Sequence, residues 1–456
     1  MTSRPHGAAA ALAAGALALG LSGCAAYRPS PLPAGPDLKT APQRLRVDVG
    51  KLRVQPLKTI ALDARDGLDP TEIAVLTVLN SPDLAAKRQA ARVSQAQVFA
   101  AGLLPDPQLS ASLDKPVSGP DKETAYSFSL GLDLAGLLAR TYARRAAQQS
   151  ARQADLDLLW AEWSDAQQAR QLAETALADE ARAAVLRKVL ALAADRYARS
   201  FRALQNRDVT LQTNAADLAV KADAETQLLT AEHDAAKARR DLNALIGLRA
   251  DVRLPLAPPP ASTGYDEAAI AQALASLPER RPDLLALRAG YAAQDANLRK
   301  AILAQFPLNN IAAAYAKDPA GTTTQGLALT LAAPIFNGGR GEVRVQAATR
   351  EQLRAEYQAR LDQTDAEVRG AARERAAARR AVAELGRDVP RLETLTAPAL
   401  AAYDRGDLDS QTYLTLSQNL LSKRADLDDK ILAARLAEIA LETALFLPPA
   451  ESRAAQ

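Results

Sequence analysis

Residues 137–246 contain neither glycine nor proline. They are mostly Ala, Leu, Arg, Gln, Glu and Asp, which are largely helix formers, and strand-favouring residues are sparse. A run this long without a breaker predicts helices of unusual length. The pattern gives one helix over about 137–200, roughly 95 Å long at about 1.5 Å per residue. A polar turn at 202–207 then leads to an antiparallel return over 208–247.

The same design occurs twice. Ser81-Pro82-Asp83-Leu84 recurs as Arg281-Pro282-Asp283-Leu284, a shift of 282 − 82 = 200, and Arg140 recurs as Arg340 at the same shift. Pro105 recurs as Pro307 at 202, and Leu211, Leu218, Ala222, Leu229 and Leu242 match Leu414, Leu421, Ala425, Leu432 and Leu445 at 203. A duplicated unit follows. Its expected parts are a Pro-rich tether at 24–69, a first repeat at 70–253, a linker at 254–268 around Pro255 and Pro258 to Pro260, a second repeat at 269–447 and a tail at 448–456. In the second repeat the outgoing helix is expected from near Gly341 to near Pro398, kinked or broken at Gly386 and Pro390. Its return is expected over 408–447. The apolar spacing in the return helices averages about 3.6 residues per turn, which suits nearly untwisted helices, and is also compatible with a soluble coiled coil.

Between the helices the period changes to two. Leu109, Ala111 and Leu113 alternate with Gln108, Ser110, Ser112 and Asp114; Tyr126, Phe128, Leu130, Leu132 and Leu134 alternate with Ser127, Ser129, Gly131 and Asp133. Ile311, Ala313 and Tyr315, then Leu327, Leu329 and Leu331, repeat the design around loops at 115–123 and 317–324. Each copy thus carries a β-hairpin with one apolar and one polar or small face. Such strands suit either a bilayer-crossing barrel or a soluble half-buried sheet. Four strands cannot close a barrel, and an open edge is prohibitive in lipid. Strands that cross a membrane must therefore be shared among several chains.

The chemistry available is limited. Lys+Arg total 56 against Asp+Glu 53, a net +3, without the basic surplus of a nucleic-acid binder. His6 lies in the leader, so His233 is the one imidazole beyond it; a zinc site of His and Cys cannot be assembled within one chain, and no Ser-His-Asp or Cys-His arrangement is visible. An enzyme is not expected, nor a cofactor. Residues 1–23 read as an export signal: Arg4, an apolar run from Gly7, and Leu21-Ser22-Gly23-Cys24. This ending resembles the bacterial lipobox, which implies a diacylglycerol and acyl lipid on Cys24. Ala25 in place of Asp implies transfer to the outer membrane.

Pro334-Ile335-Phe336-Asn337-Gly338-Gly339-Arg340, closing the second hairpin, resembles the TolC-type outer-membrane factors. So does the order of elements over 70–447, while Ala101-Gly102-Leu103-Leu104-Pro105-Asp106-Pro107 is most similar to the heavy-metal-efflux branch. The first copy departs from the junction motif: around Asp133 to Arg140 it keeps the Arg but lacks the Pro and paired Gly. The resemblance implies a mainly α fold with a small β part. Three copies would share a twelve-stranded β-barrel in the outer membrane, continued by a twelve-helix α-barrel in the periplasm. It implies passive conduction of expelled solutes, with a periplasmic adaptor and an inner-membrane RND-type transporter as partners. An exit duct for a secreted protein and a non-pore lipoprotein scaffold stand as alternatives. Closure would fall at the turns 201–210 and 403–411, where Arg202, Arg207 and Asp208 of the first and Asp404, Arg405, Asp407 and Asp409 of the second offer inter-chain charge pairs as a latch. The resemblance, in which similar ducts narrow through rings of Asp, makes Asp404, Asp407 and Asp409 the gate candidates.

Overall fold

The computed structural model describes residues 27–58, 60, 62, 67–120, 123–260, 264–306, 308–331 and 335–450, with the side chains of Leu308, Asp404 and Ser410 outside that description. Cys24 and Pro334 fall outside it as well. The chain divides into residues 1–38 and 39–456. In the first unit, residues 27–38 are irregular and exposed, with a bend at Ala34 and Gly35. All elements below belong to the second.

The first repeat comprises α1 (Pro70–Asn80), α2 (Pro82–Gly102), β1 (Gln108–Asp114), β2 (Ala125–Asp133), α3 (Leu134–Gln205) and α4 (Leu211–Ile246). The second comprises α5 (Glu267–Arg280), α6 (Pro282–Leu303), β3 (Leu308–Lys317), β4 (Thr323–Leu331), α7 (Arg340–Asp404) and α8 (Ser410–Leu445). Pro82 and Pro282 each open a helix, where a missing N–H costs nothing and φ is already helical. Asp69 and Glu72 close a capping box at α1. At 72 residues α3 is roughly 108 Å long, and α7, at 65, roughly 98 Å.

Around the middle of α3 the short elements close a core. Trp163, Ala166, Ala169 and Ala173 lie under α1, the ends of α4 and α8, and the segment from Lys39 onward. Above and below this belt four helices stand side by side. On the strand side the packing order is α2, α3, α6, α7; on the other it is α4, α3, α8, α7. Many of the buried residues of α3 and α4 are Ala, which lets neighbouring backbones approach closely.

Three expectations need correction. Helix α7 passes through Pro390 and Pro398 to Asp404 without a break. Both prolines, and the residues Gly386 and Thr394 four positions earlier, are exposed, so water satisfies the carbonyls that lose their bonds. Buried Val389 and Ala399, and the Arg424–Glu393 pair at 2.6 Å, hold the helix against α8 on both sides. The return helices are equivalent at 410 − 211 = 199, not 203: both have 36 residues, a side-chain N-cap (Thr210, Asp409) and a left-handed C-cap (Gly247, Phe446). A shift of four residues is about one turn and leaves the same face inward, so Ala and Leu matches survive it. Finally, part of the tether is core. Leu45, Leu52, Val54 and Leu57 are buried, and Lys39 and Leu68 make parallel bridges to Leu248 and Leu256.

Candidate functional site

The four strands form one antiparallel sheet in the order β1-β2-β3-β4. Its register settles which residues share a face. Leu109 lies opposite Leu130, Ala111 opposite Phe128 and Leu113 opposite Tyr126. Phe128 then meets Tyr315, Leu130 meets Ala313 and Leu132 meets Ile311; Ile311 meets Leu329 and Ala313 meets Leu327. The apolar positions of all four strands therefore make one continuous face, most of whose large side chains are exposed. The opposite face pairs Ser110 with Ser129, Ser112 with Ser127, Ala314 with Gly326 and Asn310 with Thr330. Ser112 and Ser127 are hydrogen-bonded there at 2.9 Å. A bulge at Asn309 bends the start of β3. Among the described residues the outer edges of β1 and β4 have no strand partner.

At the far end the two turns share one backbone design. The Asp208 N–H donates to the Ala203 carbonyl at 2.8 Å and Arg207 N–H to Leu204; Asp407 N–H donates to Ala402 at 2.8 Å and Gly406 N–H to Tyr403. Both are Schellman closures. Asp208 and Asp407 thus occupy equivalent places, one on each turn. The Arg405 Nε donates to Asp407 Oδ2 at 2.9 Å within its own turn. Asp409 is the N-cap of α8, accepting from the Thr412 N–H at 2.9 Å and its hydroxyl at 2.6 Å, and these bonds hold its carboxyl below the usual range. Asp404 ends α7. His233 sits exposed on α4.

No protein-family model matches the chain, and no curated protein sequence does so significantly. Solved structures do. CusC, described for conformational changes accompanying folding and transmembrane channel formation, superposes with a TM-score of 0.67 over 85% of this chain and 95% of its own, at 18% identity. The Campylobacter jejuni CmeC outer membrane channel gives 0.68 over 84% and 87% at 15% identity. The Vibrio cholerae outer membrane protein VceC gives 0.65 over 83% and 96% at 19% identity. The chain has the TolC-type outer-membrane channel fold. Among the described residues no helix is long and apolar enough to cross a membrane.

In this channel fold the strand-to-helix junctions differ between repeats. At the second, Asn337 accepts from the Gly339 N–H at 2.9 Å and its carbonyl takes the Arg340 N–H at 2.9 Å. Gly338 and Gly339 have φ of 56° and 71°, the left-handed region where Gly carries no penalty, and Gln305 donates to the Gly338 carbonyl at 2.7 Å. Ile335, Phe336 and Arg340 are exposed. The first junction needs no such loop. Asp133 is both the last residue of β2 and the N-cap of α3, accepting from the Gly136 N–H at 2.9 Å. Arg140 donates through Nε to the Gly102 carbonyl at 2.9 Å, tying α3 to the end of α2.

Two features escaped the sequence reading. Near the second turn Tyr403 and Tyr413 stack, with ring centres 5.0 Å apart and planes at 9°. Arg199 of α3 lies over the Tyr403 ring at 5.5 Å and donates to its hydroxyl, joining the two repeats. A Tyr on each side of one helix turn was the available signal. At the belt, Arg170 and Glu442 pair at 2.6 Å while almost wholly buried, and burial pushes the Glu442 carboxyl up despite Arg170. Arg281, 1% exposed, stacks over Trp160 at 4.5 Å and pairs with Asp283 and Glu367. The Arg170–Glu442 and Arg281–Trp160 contacts join side chains more than a hundred residues apart and leave no local pattern.

Proposed function

We propose that this protein is the outer-membrane duct of a tripartite efflux assembly, working as a homotrimer. The observation that carries the reading is the sheet: a continuous apolar face open to the surroundings, a face of Ser, Thr, Gly and Ala behind it, and two edges with no strand partner among the described residues. In lipid every backbone N–H and C=O needs a partner, so such a sheet is complete only when copies close it. Three copies give twelve strands, and four helices abreast at each level give twelve helices. The number three comes from the resemblance to the TolC-type factors. Tyr126, Phe128 and Tyr315 cluster toward the hairpin loops, in keeping with an aromatic girdle at the membrane surface.

On this reading the Ser/Thr/Gly/Ala face lines a water-filled lumen, and solutes pass without chemistry on the duct. An adaptor and an inner-membrane RND-type pump meet the end formed by the two Schellman turns. The lipid on Cys24 anchors the N-terminus in the outer membrane of a Gram-negative cell. Reconstitution of the purified lipoprotein in a planar bilayer tests the core of the proposal: discrete channel openings are expected, and a silent, monomeric protein would overturn it. A tag at Pro120 should be reached by antibody on intact cells. A Cys24→Ser variant should take up no radioactive fatty acid.

A further inference from the structure

The duplication supplies a template for the contact between copies. Within one chain β2 and β3 are antiparallel, with Asp133 opposite Asn310 at the helix end of the sheet. The residues just past β2 and those just before β3 meet there: Ala135 and Gly136, with Leu303 and Phe306, line one groove of about 510 Å³ whose other wall is Leu103 and Pro105. When the sheet closes between copies, β4 of one copy takes the place of β2, and β1 of the next takes that of β3. The loop that follows β4 and holds Ile335 and Phe336 then takes the place of Ala135 and Gly136, which follow β2 but already belong to the first turn of α3. The repeat shift carries Phe306 to Leu104, since 306 − 104 = 202, the shift that also relates Pro105 to Pro307.

The residues that this operation brings together, with Leu103 beside Leu104, are uncovered in the single chain. Phe336 is 99% exposed, Ile335 77%, Leu104 63% and Leu103 55%. Single exposed apolar residues are ordinary on a protein surface, but two complementary apolar pairs at matching ends of two open edges are not. Small residues stand at Ala135 and Gly136, where Phe306 of the same chain lines the groove but stays 66% exposed. Large ones stand at Ile335 and Phe336, where the facing groove lies on another molecule.

Resting on the trimeric barrel proposed above, we propose that Phe336 of each copy docks against Leu103 and Leu104 of the next, with Ile335 beside it. The contact forms an apolar clasp below each strand seam between copies. The partner is a second copy of this chain rather than lipid. Its position follows from strand direction: β4 ends at Leu331 and β1 begins at Gln108, so antiparallel pairing sets these two ends side by side.

The test is a thiol-to-thiol link in the full-length protein in its membrane. Phe336→Cys combined with Leu104→Cys, treated with a short crosslinker, should give covalent dimers and trimers on a denaturing gel; either cysteine alone should give none. Light scattering in mild detergent separates the two levels of the proposal. A trimer that yields no 104–336 link overturns the clasp and leaves the duct standing, whereas a monomer overturns both. Phe336→Ser should lower the temperature at which the trimer dissociates by several degrees while leaving the helix content of the chain unchanged; an unaltered dissociation temperature would count against the clasp.

Discussion

Gly247 and Phe446 hold the same left-handed place, 446 − 247 = 199 residues apart, at the ends of α4 and α8, with φ of 90° and 51°. Each closes its helix by a Schellman pair, Leu248 N–H to Asn243 and Leu447 N–H to Glu442. At the opposite ends of these hairpins the pattern is inverted: Arg207 has φ of 66° in the first repeat and Gly406 81° in the second. Each repeat therefore has one relaxed and one strained closure. The left-handed region costs a residue with a Cβ roughly 1–2 kcal/mol.

Arg207→Gly should accordingly stabilise the first turn by about 1 kcal/mol. Slower amide hydrogen exchange across residues 206–211 is the measurement. The Phe446→Gly exchange should go the other way. The Phe446 ring packs edge-on against Trp163 at 5.3 Å in the core, and losing a buried Phe costs about 3–5 kcal/mol, more than the strain returned.

Gly136→Ala should destabilise the first junction by about 1–3 kcal/mol, as overpacking does. A Cβ there would collide with the capping carboxylate of Asp133 and sit 3.1 Å from Pro105 Cγ. Gly370→Ala, in α7 with open space around the site, should instead gain about 0.5–1 kcal/mol from helix propensity. Denaturant midpoints of the two variants should move in opposite directions.

Burial holds the Glu442 carboxyl above its ordinary value, so the folded chain binds its proton more tightly than the unfolded chain. The contribution of this group to stability is therefore greatest below the ordinary Glu range and is lost as pH rises through the raised folded value. Exchange rates near the end of α8, measured from acidic to neutral pH, should show that decline in the wild type. A Glu442→Gln variant should flatten it.

Asp407→Ala is expected to raise single-channel conductance, with no loss of fold, because among the described residues the carboxylate pairs with exposed Arg405 alone. Asp409 calls for a different substitution. As the N-cap of α8 its removal to Ala costs about 1 kcal/mol, while Asp409→Asn keeps the cap and deletes the charge. If the charge narrows the pore, Asn and Ala raise conductance alike; unchanged conductance in Asp409→Asn would remove this residue from the gate.

Much of this architecture was legible because its signals are local. A breaker-free run gives α3, alternation gives the strands and their faces, and Pro82 and Pro282 mark the two copies of the unit. What escaped depends on the third dimension. Pro390 and Pro398 look like breaks until one sees that their freed carbonyls face water and that α8 splints the helix. The segment containing Leu45, Leu52 and Val54 has no periodicity, yet its side chains seal the belt. Phe446 gives no hint of a left-handed cap, since that place normally announces itself with Gly. At the candidate site, Asp407 and Asp409 were found as charges, but the capping role of Asp409 emerged only from its bonds.

Helix α3 follows β2 without an intervening loop and runs to the first turn with no Gly after Gly136, no Pro and no change of helix type. It has none of the usual causes of a bend. A lever of that kind has no elbow: torque applied at one end arrives at the other as rotation of the whole shaft, and flexure must be sought in neighbours that carry proline.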